Sequence, residues 1–420
     1  MNSSSIQYSP FQNFLYSIPI IIVFTISELF LPFDVYTTTN AYFDITEIVQ
    51  KILPLIALVF ILLRVNYLSK YFVLFFSLPF LYFIYLIFES LFLYNTFFKF
   101  PHVFLKIANL FMVFGIYIFY KKYHLINLEF IMNLIIIMLF VRIIIDPSII
   151  SLHSFVQHER LLHAPSIYML LLPCMYFFNR YIVEMDYFSL IKFLILFFFI
   201  VYFQHRTVYA ATSIAFIVNL LLLKRQKLLH LHKFIPTAFF LLFLLFFALA
   251  LLISFYPEIG DKINENFANI SNPTKDTTGT SQWRMEQYKS YWPFVKKHII
   301  EGMRLKGFEL PIQFYHPEAN IPYFEDGTGH HFHSFYYDKL FWLGIIGLVM
   351  YITIMIKPIF ETINYKLNIE PSKIGLVSFI FSGLVFGISY NIPDFYWTIF
   401  GLGLVFIEKS KEVTIHLNST

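Results

Sequence analysis

Stretches of about 20 mostly apolar residues, the length that crosses a hydrocarbon core as a helix, recur along the whole of this 420-residue chain. About twelve can be laid out: 12–32, 49–66, 71–92, 102–120, 127–146, 164–180, 187–204, 206–223, 234–255, 335–356, 372–390 and 393–408. Composition agrees with that layout. Hydrophobic residues make up 58% of the chain and charged residues 13%, where a soluble domain carries about 25% charged. A soluble fold of this size would lack the polar surface to stay dissolved. Disordered, collagen-like and disulfide-framework classes are excluded on the same grounds. The expected fold is an all-α polytopic membrane protein.

Cysteine and charge narrow the reading further. Cys174, the lone cysteine, lies in the apolar run LLLPCMYFF, which rules out an intrachain disulfide and a Cys-ligated metal. The opening MNSSSIQYSPFQNFLYS has no basic n-region or small-residue cleavage site, so the first apolar segment is expected to stay as an anchor. The net charge of +4 reports topology rather than nucleic acid, because Lys and Arg collect in cytoplasmic loops. With the N-terminus inside, the cytoplasmic connections hold Arg64, Lys70, Lys121, Lys122, Arg180, the run KRQKLLHLHK (224–233), Lys357, Lys366 and Lys373. The tail adds Lys409 and Lys411. Opposite short connections hold only Lys99, Arg160, Arg206 and the borderline Lys51, beside Asp34, Asp44 and Glu47. Both termini are therefore expected in the cytoplasm.

One connection is long and polar. The chain divides into transmembrane helices 1–9 over residues 1–255, a large outer loop over 256–334, and helices 10–12 with a cytoplasmic tail over 335–420. A long loop without a function would be unusual. This one contains a predicted helix, QWRMEQYKSYWPFVKKHII, which Pro293 is expected to bend or interrupt.

The candidate chemistry gathers on the outer side. Arg206 opens the eighth segment in QHRTVYAATSIAF; it reads either as a headgroup anchor or as a clamp for an anion, since guanidinium is a planar, permanently charged fork. Arg284 shares a helix face with Tyr288 and Tyr291 at i, i+4 and i+7, a face suited to a sugar phosphate, whereas an isolated loop arginine is more often a solvated charge. Arg160, in QHERLLHAPSIY, is a secondary anion candidate or a headgroup contact. His330, His331 and His333 precede the tenth segment. Their H-H-x-H spacing is a poor metal-ligand set, and the alternatives are an ordinary polar loop end or a catalytic histidine. His333 is the best placed as a general base, which histidine can serve near neutral pH.

His333-Ser334, nine residues, Gly344, two residues and Gly347 resemble the H-[NSQ]-x9-G-x-x-G pattern of the bacterial O-antigen ligases, part of a superfamily that includes O-antigen polymerases. Arg206 in QHRTVYAA resembles that family's Ser-Arg helix start, with His205 where serine is usual. The run from Arg284 to Gly302 and Gly307 resembles its arginine-led loop helix, but HIIEGMRLKGFE lacks the Asn-Pro and spaces its glycines further apart. The likeness covers about residues 150–408.

The resemblance implies a GT-C-like, metal-independent membrane glycosyltransferase without cofactors, in the bacterial inner membrane, its active site on the periplasmic face. The donor would be a glycan on undecaprenyl pyrophosphate and the acceptor a hydroxyl of lipid A–core. Arg206 and Arg284, with Arg160, would hold the pyrophosphate, and His333 would take the acceptor proton. An O-antigen polymerase on the same carrier is the alternative within the superfamily. A secondary transporter is the alternative outside it, for which Glu28, Glu89 and Lys106 are the plausible deep charges. No P-loop or dinucleotide glycine fingerprint appears, and nothing suggests a nucleic-acid partner.

Overall fold

The computed structural model describes residues 10–26, 41–123, 127–151, 162–229, 280–315, 332–364 and 369–419, with scattered helical positions between 239 and 260. Among the described residues the chain is all helix, with no strand. The elements are α1 (Pro10–Ile26), α2 (Ala41–Leu63), α3 (Lys70–Tyr94), α4 (Pro101–Lys122), α5 (Leu128–Ile145) and α6 (Ala164–Glu184). They continue as α7 (Tyr187–Tyr202), α8 (Arg206–Arg225), α9 (Thr280–Lys297), α10 (Phe335–Asn364), α11 (Pro371–Ser389) and α12 (Asp394–Ser419). Apart from 234–255, of which only scattered helical positions are described, each predicted apolar segment coincides with a helix. Seven of these helices are long and apolar enough to cross a membrane, and three shorter apolar ones accompany them.

Local chemistry starts and stops the helices where the apolar runs do. The Ser69 and Asn127 side chains accept the backbone N–H of Phe72 and Phe130 at the starts of α3 and α5, and Asp186 accepts that of Phe188 at the start of α7. Such caps satisfy donors that the first turn leaves open. Lys121 and Lys122 end α4, and Lys224 and Arg225 end α8, complementing the negative end of each dipole. Many large apolar side chains remain exposed, among them Leu63, Phe92 and Phe188. So much bare apolar surface has a ready partner in lipid.

The helices pack in two groups, with α2, α3 and α12 around α4, and α5, α7 and α11 around α6. Contacts of α11 with α12 join the groups, and α8 lies along α11. One end of this bundle is basic and held by ion pairs and caps: Lys121 to Glu408 at 3.1 Å, Arg180 to Glu129 at 2.6 Å, and Arg225 to the carbonyl of Thr362 at 3.1 Å. The other end carries α9 and the start of α10.

Two expectations change. α9 runs unbroken through Pro293; the buried side chains of Tyr291 and Val295 pin the turns on either side of the missing N–H. The tenth segment is not one straight helix. Gly344 has φ +66° and ψ −167° inside α10, and the chain folds there into a V. Phe335 and Tyr351 are sixteen residues apart, roughly 24 Å along a straight helix, yet their rings lie 5.3 Å apart. The long arm, from 345 onward, is the one that can cross a membrane. The short arm, 335–343, folds back against it.

Candidate functional site

The V is locked by the chain that follows α9. A kink leaves backbone groups without helical partners, and buried ones must find others. Here the N–H groups of Met303 and Arg304 donate to the carbonyls of Phe341 and Trp342 at 2.8 and 3.0 Å. The N–H groups of Ile345 and Ile346 donate to Ile299 and Ile300 at 2.8 and 3.3 Å. Two glycines permit this backbone-on-backbone contact. A Cβ on Gly302 (φ +74°) would stand 2.4 Å from the Gly344 nitrogen, and one on Gly344 would stand 2.3 Å from the Ile300 oxygen. Gly344 of the histidine pattern and Gly302 of the loop thus belong to one backbone interlock.

Charged pairs fasten the same region to the bundle. Arg304 binds Glu89 of α3 at 2.9 Å and Glu301 at 2.7 Å, and Arg304 holds the Glu301 carboxyl below the usual range. Lys106 of α4 binds the fully buried Asp338 at 2.7 Å, with Lys339 3.3 Å from the other Asp338 oxygen. Glu89 and Lys106, the charges a transporter reading would use, are therefore tied up in holding the long connection and the short arm. Glu28 lies outside the described residues.

His333 sits just before the short arm. Its neighbour Phe332 is buried in an aromatic box of Tyr291, Tyr337 and Phe341, with ring centres 5.1, 5.0 and 4.8 Å away. Asn391 donates to the Phe332 carbonyl at 2.7 Å. Ser334 acts as the helix cap: its carbonyl accepts from Asp338 N at 2.9 Å and its hydroxyl from Tyr337 N at 3.5 Å. That gives a physical reason for a small polar residue directly after the histidine. So held, the half-buried imidazole of His333 lies nearly parallel to the Tyr390 ring, 18° between planes and 6.3 Å between centres.

Arg284 arrives at the same ring from α9. Its guanidinium carbon is 5.0 Å from the Tyr390 ring centre, within cation–π range. The predicted face of Arg284, Tyr288 and Tyr291 is present, and its two tyrosines pack against the short arm and the long connection. Tyr288 stacks on Tyr337 at 4.3 Å, and burial pushes its phenol upward against the opposing pull of Ser334 and Arg284. Tyr291 is buried, its hydroxyl accepting from Gln313 N at 3.0 Å. These two tyrosines dock the loop helix.

Arg206 begins α8, and helix register brings it to the same end of the bundle. Asn219 of α8 meets Ser378 of α11 at 3.4 Å, and the two helices run antiparallel. Thirteen residues back from Asn219 is Arg206, and thirteen on from Ser378 is Asn391, beside Tyr390. Each step is a rise of roughly 20 Å. His205 does not cap α8; its buried ring bonds instead to the Leu162 carbonyl at 2.9 Å. Arg160, His330 and His331 lie outside the described residues. Tyr390 and Asn391, which join the site together, carry no signal in the sequence beyond standing in the short connection between two apolar segments.

Residues 191–352 match the family model described as O-antigen ligase. The chain carries an O-antigen ligase family domain. The matched stretch contains Arg206, Arg284, His333 and both glycines of the interlock, Gly302 and Gly344. An O-antigen ligase match over residues 191–352, on a bundle with membrane-length helices, indicates a membrane enzyme of the glycosyltransferase type. No curated protein matches the chain.

Proposed function

We propose that the protein is an O-antigen ligase in the bacterial inner membrane, transferring a glycan from undecaprenyl pyrophosphate to a hydroxyl of lipid A–core on the periplasmic face. The observation that carries this reading is the meeting of Arg284 and His333 on the Tyr390 ring, at the end of the bundle opposite the basic end. In the transfer, the acceptor oxygen attacks the anomeric carbon and its proton passes to the His333 imidazole. The bond from that carbon to the pyrophosphate oxygen breaks, and the charge left on the pyrophosphate is met by Arg206 and Arg284. Arg160 is proposed as a further contact to the same group. The sugar–pyrophosphate bond supplies the driving energy, so no nucleotide or cofactor is required.

Deleting the gene tests the reaction class directly. Loss of the whole lipopolysaccharide ladder, single-repeat band included, is the expected result; a surviving core-plus-one-unit band would instead identify a polymerase.

Orientation is tested by cysteine labelling. Cys174 is buried, so a cysteine introduced at 275 should label from the periplasm and one at 228 only from the cytoplasm, following the Lys/Arg asymmetry. Labelling of both positions from one side would end the topology and the mechanism together.

Arginine variants test the clamp. Arg206→Ala and Arg284→Ala should each weaken donor binding by roughly 10–100-fold, the size of a charge-assisted hydrogen bond. Lysine should restore only part of it, since the bidentate fork is lost. Normal transfer by both alanine variants at normal expression would remove the clamp.

A further inference from the structure

Arg284 and His333 belong to different elements, one on the loop helix and one ahead of the V, and transfer needs them at a fixed spacing. A 1 Å error between reacting groups costs rate steeply. Both of them contact the Tyr390 ring. Its own position is set from the core outward by a column of near-parallel rings. Tyr168 of α6, fully buried with its hydroxyl 2.9 Å from Ser382, stacks on Phe386 at 4.1 Å and 13°. Phe386 stacks on Tyr390 at 5.4 Å and 23°. Tyr390 then stacks on His333 at 6.3 Å and 18°. Arg284 adds its guanidinium 5.0 Å from the Tyr390 centre. The next residue, Asn391, fixes the backbone at Phe332, so the connection between α11 and α12 grips the histidine through both its ring and its main chain.

We propose that Tyr390 is a positioning residue that sets the spacing between the anion-binding Arg284 and the base His333, and that its ring rather than its hydroxyl does so. The proposal rests on the reading of Arg284 and His333 given above. All three contacts are ring contacts. A cation over an aromatic face is held by the ring quadrupole, and Phe preserves that face while Leu does not.

The test compares Y390F, Y390L and Y390M as full-length protein in detergent, with an undecaprenyl-pyrophosphate-linked glycan as donor and lipid A–core as acceptor. Y390F should retain most of the transfer activity. Y390L should raise the donor KM roughly threefold to thirtyfold, the range of a cation–π contact, and lower kcat as His333 drifts. In an R284A background, Y390L should no longer change the donor KM, because the two residues act on it as one unit. A residue that merely supports the fold would give additive effects and equal damage from Phe and Leu; either result overturns the proposal. Should Y390L fail to accumulate, Y390M, apolar and adaptable in shape, takes its place. If neither accumulates as folded protein, Tyr390 is a core prop and the proposal falls. Normal constants for Y390L alongside impaired R284A and H333A would overturn the positioning role and leave the ligase site standing. Active R284A and H333A would instead overturn the site itself.

Discussion

Replacing His333 by alanine should cut glycan transfer by roughly 10²–10⁴-fold, the contribution of a well-placed general base, while the protein folds and binds donor much as before. Folding should survive because the anchors of this segment are its neighbours. Phe332 fills the aromatic box, Ser334 caps the short arm and Asn391 holds the Phe332 carbonyl. The imidazole itself is half-buried and packs by one face on Tyr390. Donor binding should survive because the proposed anion clamp lies on Arg206 and Arg284. His330→Ala and His331→Ala should be milder, since neither occupies the pattern position. The assay is transfer from purified undecaprenyl-linked donor to lipid A–core, read as kcat with donor binding measured separately. EDTA should leave the rate unchanged if arginines neutralise the leaving group. Full activity of His333→Ala would dismiss the base; a chelator-sensitive rate restored by a divalent ion would return the histidine cluster to consideration as a metal site.

The helices were legible because hydropathy over a membrane-length window reports them directly. Even the tight joint between 187–204 and 206–223 is present, made by Phe203, Gln204 and His205 with Gln204 at φ +53°. The V at Gly344 was not legible. Hydropathy runs smoothly through LFWLGIIGLVM, and nothing local says which glycine takes a positive φ, since that depends on a backbone arriving from the 299–304 segment. Lys106 and Asp338 could not be paired from sequence for a similar reason: 232 positions separate them, and only the fold-back of the short arm brings the carboxylate to α4. The candidate site was half legible. Arg284 and His333 were named from phase and pattern, whereas Tyr390 looks like any aromatic among many until the ring column is seen. The role of Gly344 was not legible either, because packing between helices and contact between backbones leave the same residue in the sequence.

Gly344→Ala should be among the most damaging single-methyl changes available in this chain. The backbone at 344, φ +66° with ψ −167°, lies in a region open essentially to glycine alone, which costs another residue of order 1–3 kcal/mol. Sterics add to that. The new Cβ would sit 2.3 Å from the Ile300 oxygen and 2.4 Å from the Gly302 nitrogen, both backbone atoms that cannot rotate away. Relief requires the 299–304 segment to withdraw, breaking the bonds from Met303, Arg304, Ile345 and Ile346 that close the kink. Buried groups left unpaired cost about 1–3 kcal/mol each, so a total loss above about 4 kcal/mol is expected, the range of exceptional mutants. Gly302→Ala should behave alike, meeting the Gly344 nitrogen at 2.4 Å. Gly387→Ala is the control: its nearest neighbours, Ile392 Cδ1 and Phe335 Cβ, stand 3.4 Å away, so the added methyl meets ordinary contact distances. Thermal melts in detergent should show Gly344→Ala and Gly302→Ala far below wild type, with Gly387→Ala close to it. Transfer should fall further than the folded fraction in the first two, because the arm that follows His333 and Ser334 loses its fixed angle. Equal melting of Gly344→Ala and Gly387→Ala would show that the interlock does not hold the V.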